Sequence, residues 1–117
     1  MRRTLILLVA VAALGTPAVG QHSRHQSIAY SPISDYWGVA NGLGNLVAAD
    51  AAAMGFCNRP DCRIVANATN ACAAFATTAD RRYAGGLGLN HAQAQANAVA
   101  GCNAAFGVPC VARGSIC

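Results

Sequence analysis

Six cysteines, at positions 57, 62, 72, 102, 110 and 117, constrain this 117-residue chain more than any other feature. An even set of cysteines in a short chain that carries an export signal reads as a disulfide framework. The chain needs one. Its hydrophobic content is 55%, but alanine dominates it and only 6% of residues are aromatic. Alanine adds little apolar area, so a core built from it is thin for the length of the chain.

The export signal is at the N-terminus. Arg2 and Arg3 give a positive start, Leu5 to Leu14 form an unbroken apolar run, and Ala18-Val19-Gly20 places small residues where a signal peptidase reads them. The apolar run is well short of the roughly twenty residues that span a bilayer. Residues 1–20 are therefore expected to be a signal peptide cleaved before Gln21. Residues 21–26 then form a flexible polar tail, and 27–117 a single disulfide-rich domain. The mature protein is expected to be secreted or periplasmic, with no membrane span.

Charge excludes one large class of partner. The chain has no lysine and no glutamate, and losing Arg2 and Arg3 leaves six arginines against four aspartates. Arg81-Arg82 is the only adjacent basic pair of the mature part. Nucleic-acid binding needs a basic stripe that neutralises several phosphates, and none is present. The alanine and glycine richness points to a GC-rich bacterial genome.

Order along the chain suggests an internal repeat. Ser27-Ile28-Ala29-Tyr30 and Tyr36-Trp37-Gly38-Val39-Ala40 read as strands joined by a Pro-Ile-Ser-Asp turn. Gly42-Leu43-Gly44 ends the second strand, Asn45 caps an alanine-rich helix over Leu46–Phe56, and Cys57 closes it. Cys62 opens a third strand, Arg63–Ala66. The pattern then returns. Cys72–Ala76 and Arg82-Tyr83-Ala84 read as strands, Gly86-Leu87-Gly88 ends the latter, and Asn90 caps a second helix from His91 to Gly101, closed by Cys102. A last strand begins at Cys110-Val111-Ala112. The alternation in Ala92–Ala98 is a strand signal, overruled because alanine and glutamine favour helices and the matching segment does not alternate. The expected fold is α+β: tandem ββαβ repeats forming an antiparallel sheet, with two alanine-rich helices packed on it.

The repeat also proposes the bridges. Cys57 and Cys62 flank the first helix-to-strand turn, and Cys102 and Cys110 flank its counterpart. Equivalent positions should be bonded equivalently, giving Cys57–Cys62 and Cys102–Cys110 and leaving Cys72–Cys117. In the chain-entropy model the three loops contribute about 2, 2.5 and 4 kcal/mol. Against a total domain stability of about 5–15 kcal/mol, these bridges decide whether the fold persists.

Ile28-Ala29-Tyr30-Ser31-Pro32, Tyr36-Trp37-Gly38, the alanine helix running into Cys57, Asn70-Ala71-Cys72-Ala73-Ala74 and the closing Cys110–Cys117 segment together resemble the bacterial domain of unknown function 4189. The resemblance covers nearly the whole mature chain. It implies a small exported protein, but brings no assigned activity and no catalytic residues. Tyr83-Ala84-Gly85-Gly86 departs from the family pattern in lacking a tryptophan, which implies a reduced aromatic surface.

No catalytic constellation stands out. The cysteine spacings do not match a Cys-x-x-Cys pair, and every cysteine has a structural partner. His22, His25 and His91 would have to share oxidised cysteines to hold zinc, so no metal site and no cofactor is expected. Acid–base hydrolysis needs two positioned carboxylates; Asp35, Asp61 and Asp80 read as turn residues, and Asp50 as a solvent-facing helix position. The candidate interface is aromatic and basic: Tyr36, Trp37, Arg82 and Tyr83. Adjacent Tyr36 and Trp37 must point to opposite faces of their strand, and one of them beside Arg82 would make a binding hot spot. The leading expectation is a non-enzymatic exported module binding a protein or a cell-envelope component. Its rivals are a secreted enzyme with an unrecognised site, and an inhibitor presenting the Cys57–Cys62 or Cys102–Cys110 loop to a protease.

Overall fold

The computed structural model describes residues 23–117. The signal peptide expected over residues 1–20 lies outside these residues. Eight elements follow in the order β1 (His25–Ser31), β2 (Tyr36–Leu43), α1 (Leu46–Cys57), β3 (Arg63–Thr69), β4 (Cys72–Thr77), β5 (Tyr83–Gly88), α2 (His91–Phe106) and β6 (Val111–Ile116). Each half of the chain is thus ββαβ. β1 begins at His25, and Gln26 is buried, so the last two residues assigned to a flexible tail belong to the strand.

Both helices start on asparagine caps. The Asn45 side chain accepts the Ala48 N–H at 2.8 Å, and Asn90 accepts the Gln93 N–H at 2.8 Å. Each helix ends on a left-handed residue, Asn58 (φ 48°) or Gly107 (φ 67°). α2 therefore runs one turn beyond the Gly101 end read from the sequence. Gly101 is exposed and tolerated within a helix, and the stop comes only at Gly107. Within the alternating Ala92–Ala98 stretch, Ala94 and Ala98 are buried four residues apart, as a helix requires.

The strands divide into two antiparallel three-stranded sheets, ordered β2-β1-β3 and β5-β4-β6, rather than one continuous sheet. In each, the first strand is central, its hairpin partner lies on one side, and the helix carries the chain across to the other. The sheets face each other. Ile28, Tyr30, Ala66 and Ala68 of one meet Ala73 and Phe75 of the other, with Trp37, Val39, Val65, Tyr83 and Ile116 around them. The alternate residues face outward, toward the helices: Ala29 and Ala40 pack with Ala53 and Cys57 of α1, and Ala74 and Ala76 with Ala94, Ala98 and Cys102 of α2. The result is four layers, helix–sheet–sheet–helix.

These layers lie very close. A buried stripe at four-residue spacing runs along each helix, Ala49-Ala53-Cys57 and Ala94-Ala98-Cys102. Beneath the stripes, Gly38 pairs with Ala29 and Gly86 with Ala74. A Cβ on Gly38 would sit 2.4 Å from the Cys57 backbone nitrogen, and one on Gly86 2.3 Å from that of Ala98. Helix and sheet meet backbone to backbone, which explains why so many core positions are alanine or glycine.

The bridges are Cys57–Cys62, Cys102–Cys110 and Cys72–Cys117, as the repeat proposes. Cys57–Cys62 clips the end of α1 to the segment leading into β3, whereas Cys102, expected to close its helix, lies a turn before the end of α2 and is tied to Cys110 just ahead of β6. The third joins the start of β4 to the residue after β6.

Candidate functional site

Polar side chains converge at the end of the two sheets where the β1–β2 turn (residues 32–35) meets the β4–β5 turn (residues 78–82). Each turn carries a charged residue in the left-handed region, Asp35 (φ 53°) and Arg81 (φ 68°). Aspartate is tolerated there; arginine is unusual, because its Cβ crowds the backbone. The Arg81 N–H closes its turn on the Thr78 carbonyl at 3.0 Å, and its Nη1 donates to the carbonyls of Pro32 (3.2 Å) and Ile33 (2.8 Å). Arg81 therefore spans the two halves of the molecule.

Asp35 is the centre of the cluster. Arg113, from β6, grips it with two bonds, Nη1 to Oδ1 and Nη2 to Oδ2, each 3.0 Å, and the same Nη1 donates to Thr77 Oγ1 at 3.0 Å. The buried Tyr30 hydroxyl donates to Asp35 Oδ1 at 2.6 Å. The Arg113 guanidinium carbon lies 5.2 Å from the Trp37 ring centroid, and Trp37 meets Phe75 edge-on at 5.4 Å. Two-point pairing of this kind fixes geometry as well as charge. It joins residues 78 positions apart.

The electrostatics follow from these contacts. The Arg113 guanidinium, followed by the Tyr30 hydroxyl, holds the Asp35 carboxyl down at about 2. Burial, reinforced by the hydrogen bond to that carboxylate, pushes Tyr30 up to about 12. The Arg113 guanidinium is pushed higher still by Asp35. At neutral pH Asp35 is thus a fixed anion and Tyr30 a fixed donor, whereas a general base works best with a pKa near the operating pH. A carboxyl depressed on folding stabilises the fold above its ordinary value of 3.8 and loses that contribution as pH falls toward 2. Asp61 and Asp80 shift in the same direction, through Ser31 and Thr78 respectively. Denaturation midpoints measured from pH 6 to pH 2 should therefore drop most steeply below about pH 4. Asp35→Asn should be less stable than the parent at pH 6, and the gap should narrow by pH 2. A constant gap across this range would refute the assignment.

Beside this cluster is an open cleft of about 570 Å³ lined by Asp35, Thr77, Thr78, Ala79, Arg81, Pro109, Val111 and Arg113. The interface residues read from the sequence do not gather on one face. Trp37 and Tyr83 turn inward between the sheets, Tyr83 meeting Tyr30 edge-on at 5.9 Å. Tyr36 lies on the outer side of its sheet with Arg59 over its ring at 4.4 Å. Arg82 packs on Phe106 of α2 at 4.9 Å and pairs with Asp80 at 3.1 Å. Two sheets separate Tyr36 from Arg82.

Asp50 and His91 lie on different helices. Asp50 is not solvent-facing: it accepts from the buried Ser27 hydroxyl at 2.5 Å and from Asn67 Nδ2 at 3.3 Å. His91 lies on the other helix, 2.7 Å from Ser115 Oγ through its Nδ1. His25, assigned to the flexible tail, is held in β1 with Nδ1 3.0 Å from Thr69 Oγ1. Among the described residues no three histidine, cysteine or acidic side chains are grouped to hold a metal. Sequence reasoning missed Arg113 and Arg81. The signal for Arg113 was a charge on a short final strand of a chain almost without charges.

The family model named Domain of unknown function (DUF4189) matches residues 25–117. The chain belongs to this family. The match covers every strand and helix described above, so the four-layer fold and the Asp35–Arg113 cluster lie within the DUF4189 region. Comparison with curated proteins and with solved structures gives no match.

Proposed function

We propose that the protein is exported, loses residues 1–20, and acts outside the cytoplasm as a non-enzymatic binding module for a protein or a cell-envelope component. The observation that carries this reading is the commitment of its ionisable groups to internal contacts. All six cysteines are in disulfides. Each of the four aspartates is held by a hydroxyl: Asp35 by Tyr30, Asp50 by Ser27, Asp61 by Ser31 and Asp80 by Thr78. These contacts build a rigid fold and leave none of the cysteines or aspartates free to act as a nucleophile or base. Three disulfides fit an oxidising compartment, and no helix among the described residues is long and apolar enough to cross a membrane.

Expression in a bacterial host followed by N-terminal sequencing tests export. The mature chain should start at or within about two residues of Gln21; full-length protein starting at Met1 outside the cytoplasm would refute it. Immobilised mature protein challenged with purified peptidoglycan, membrane vesicles and envelope protein extract tests binding. Retention of one fraction is expected, and retention of none by folded protein would overturn the reading.

A further inference from the structure

We propose that the cleft between the β1–β2 and β4–β5 turns captures the C-terminal carboxylate of a peptide on Arg81 and Arg113. This names the ligand chemistry for the binding role above and rests on that reading. The first support is the imbalance of donors and acceptors. Arg81 uses only Nη1, and Arg113 only its two Nη atoms, in hydrogen bonds among the described residues. Both residues line the cleft, and among the described residues the Nε–H of neither makes a hydrogen bond. The acceptors there are already engaged. Both Asp35 oxygens and the Thr77 hydroxyl hold Arg113, while the Thr78 hydroxyl donates to Asp80 and accepts the Arg82 N–H. A ligand must therefore bring acceptors.

The second support is charge. Two guanidiniums against the single Asp35 carboxylate leave one net positive charge in the cleft, which matches a monoanion. A planar carboxylate also fits the guanidinium fork. The third is shape. Ala79, Pro109 and the exposed Val111 supply apolar wall, and Val111 begins β6, an edge strand of its sheet. A sugar would want free hydroxyl partners and an exposed aromatic face, yet the threonine hydroxyls are engaged and Trp37 is covered by Arg113. A peptide tail satisfies the guanidiniums at its end and the apolar wall along its stem.

The fourth is the backbone at Arg81. Arginine at φ 68° holds a conformation that glycine would adopt without strain. Strain retained at a cleft is the mark of a side chain kept for its position. Arg81→Gly removes the guanidinium and its two bonds to the Pro32 and Ile33 carbonyls but relieves the backbone, so the two effects on stability offset each other and the thermal midpoint reports whether the fold is kept.

Two-dimensional NMR titration of the mature protein tests the proposal. The probes are N-acetyl-alanyl-alanine, its C-terminal amide, glucuronate and inorganic phosphate. The free acid should saturably shift Thr77, Thr78 and the Arg81 and Arg113 Nε–H signals, and the amide should not. Arg81→Gly should weaken the acid by about tenfold, the loss of one charged hydrogen-bonding group, with its thermal midpoint within about 5 °C of the parent. Arg81→Lys should retain part of the binding. Equal response to acid and amide, an unaffected Arg81→Gly variant, or tighter binding of glucuronate or phosphate than of the peptide acid would each overturn the assignment. Envelope retention without carboxylate binding would sink this inference alone; carboxylate binding without retention of any envelope fraction would overturn the proposed function while leaving the ligand chemistry of the cleft standing.

Discussion

The Cys72→Ala/Cys117→Ala double variant is expected to unfold with a free energy roughly 2–5 kcal/mol below that of the parent. The bridge closes the longest loop in the molecule, a sequence separation of 45 against 5 and 8 for the two clips. Loop-closure entropy removed from the unfolded chain rises with loop length, so this link restricts the unfolded ensemble most. It also has work to do in the folded state. Cys72 is buried under α2, and Cys117 is the residue that anchors β6, the strand that delivers Arg113 to Asp35. Denaturant titration of this variant beside Cys57→Ala/Cys62→Ala is the measurement. The clip variant should lose about 2 kcal/mol, the amount its shorter loop supplies. A larger loss from the clip than from Cys72–Cys117 would mean that local strain, not chain entropy, governs this fold.

The second large effect is expected from a single methyl group. Gly86→Ala should destabilise the protein by about 3 kcal/mol, the upper end of the ordinary overpacking range. Its Cβ would meet the Ala98 backbone nitrogen at 2.3 Å, the Ala98 Cα at 2.7 Å and the Ala94 carbonyl oxygen at 2.8 Å. None of these is a flexible side-chain end, so α2 as a whole must lift from its sheet. Gly101→Ala is the matched control of opposite sign. It lies on the exposed side of the same helix with nothing within 4 Å of its Cβ. Alanine there should stabilise by about 0.5–1 kcal/mol through helix propensity and a less mobile unfolded chain. Thermal or urea unfolding of the two variants distinguishes the signs directly. Equal effects would show that helix and sheet do not make the tight contact described.

Element types and bridges were legible because the signals that encode them are local. An asparagine cap and a cysteine on the buried face of the helix each act over a few residues, and each occurs in both halves. Where α2 ends was less legible, because Gly101 is a weak stop and the true stop depends on Gly107 taking a left-handed conformation. The division into two facing sheets was not legible at all. β4, Cys72–Thr77, is buried at every position, since one face meets a helix and the other meets a sheet. Alternation of polar and apolar residues, the sign that separates one face from the other, is then missing. The Asp35–Arg113 cluster was not legible for a different reason. Asp35 was readable as a turn residue, but its partner Arg113 is 78 positions away, and no local pattern announces a pairing set by the stacking of two sheets.

The closeness of the layers has a consequence for how this protein responds to temperature. Where helices rest on sheets through alanine and glycine, unfolding hydrates a large amount of peptide and comparatively little hydrocarbon. Hydrocarbon raises the heat capacity of the unfolded chain and peptide lowers it. The increment per residue therefore falls below the usual value of about 12–15 cal/mol/K, and the three cross-links reduce it further by keeping the unfolded chain compact. A small increment makes a shallow stability curve, so the folded state weakens slowly on both warming and cooling.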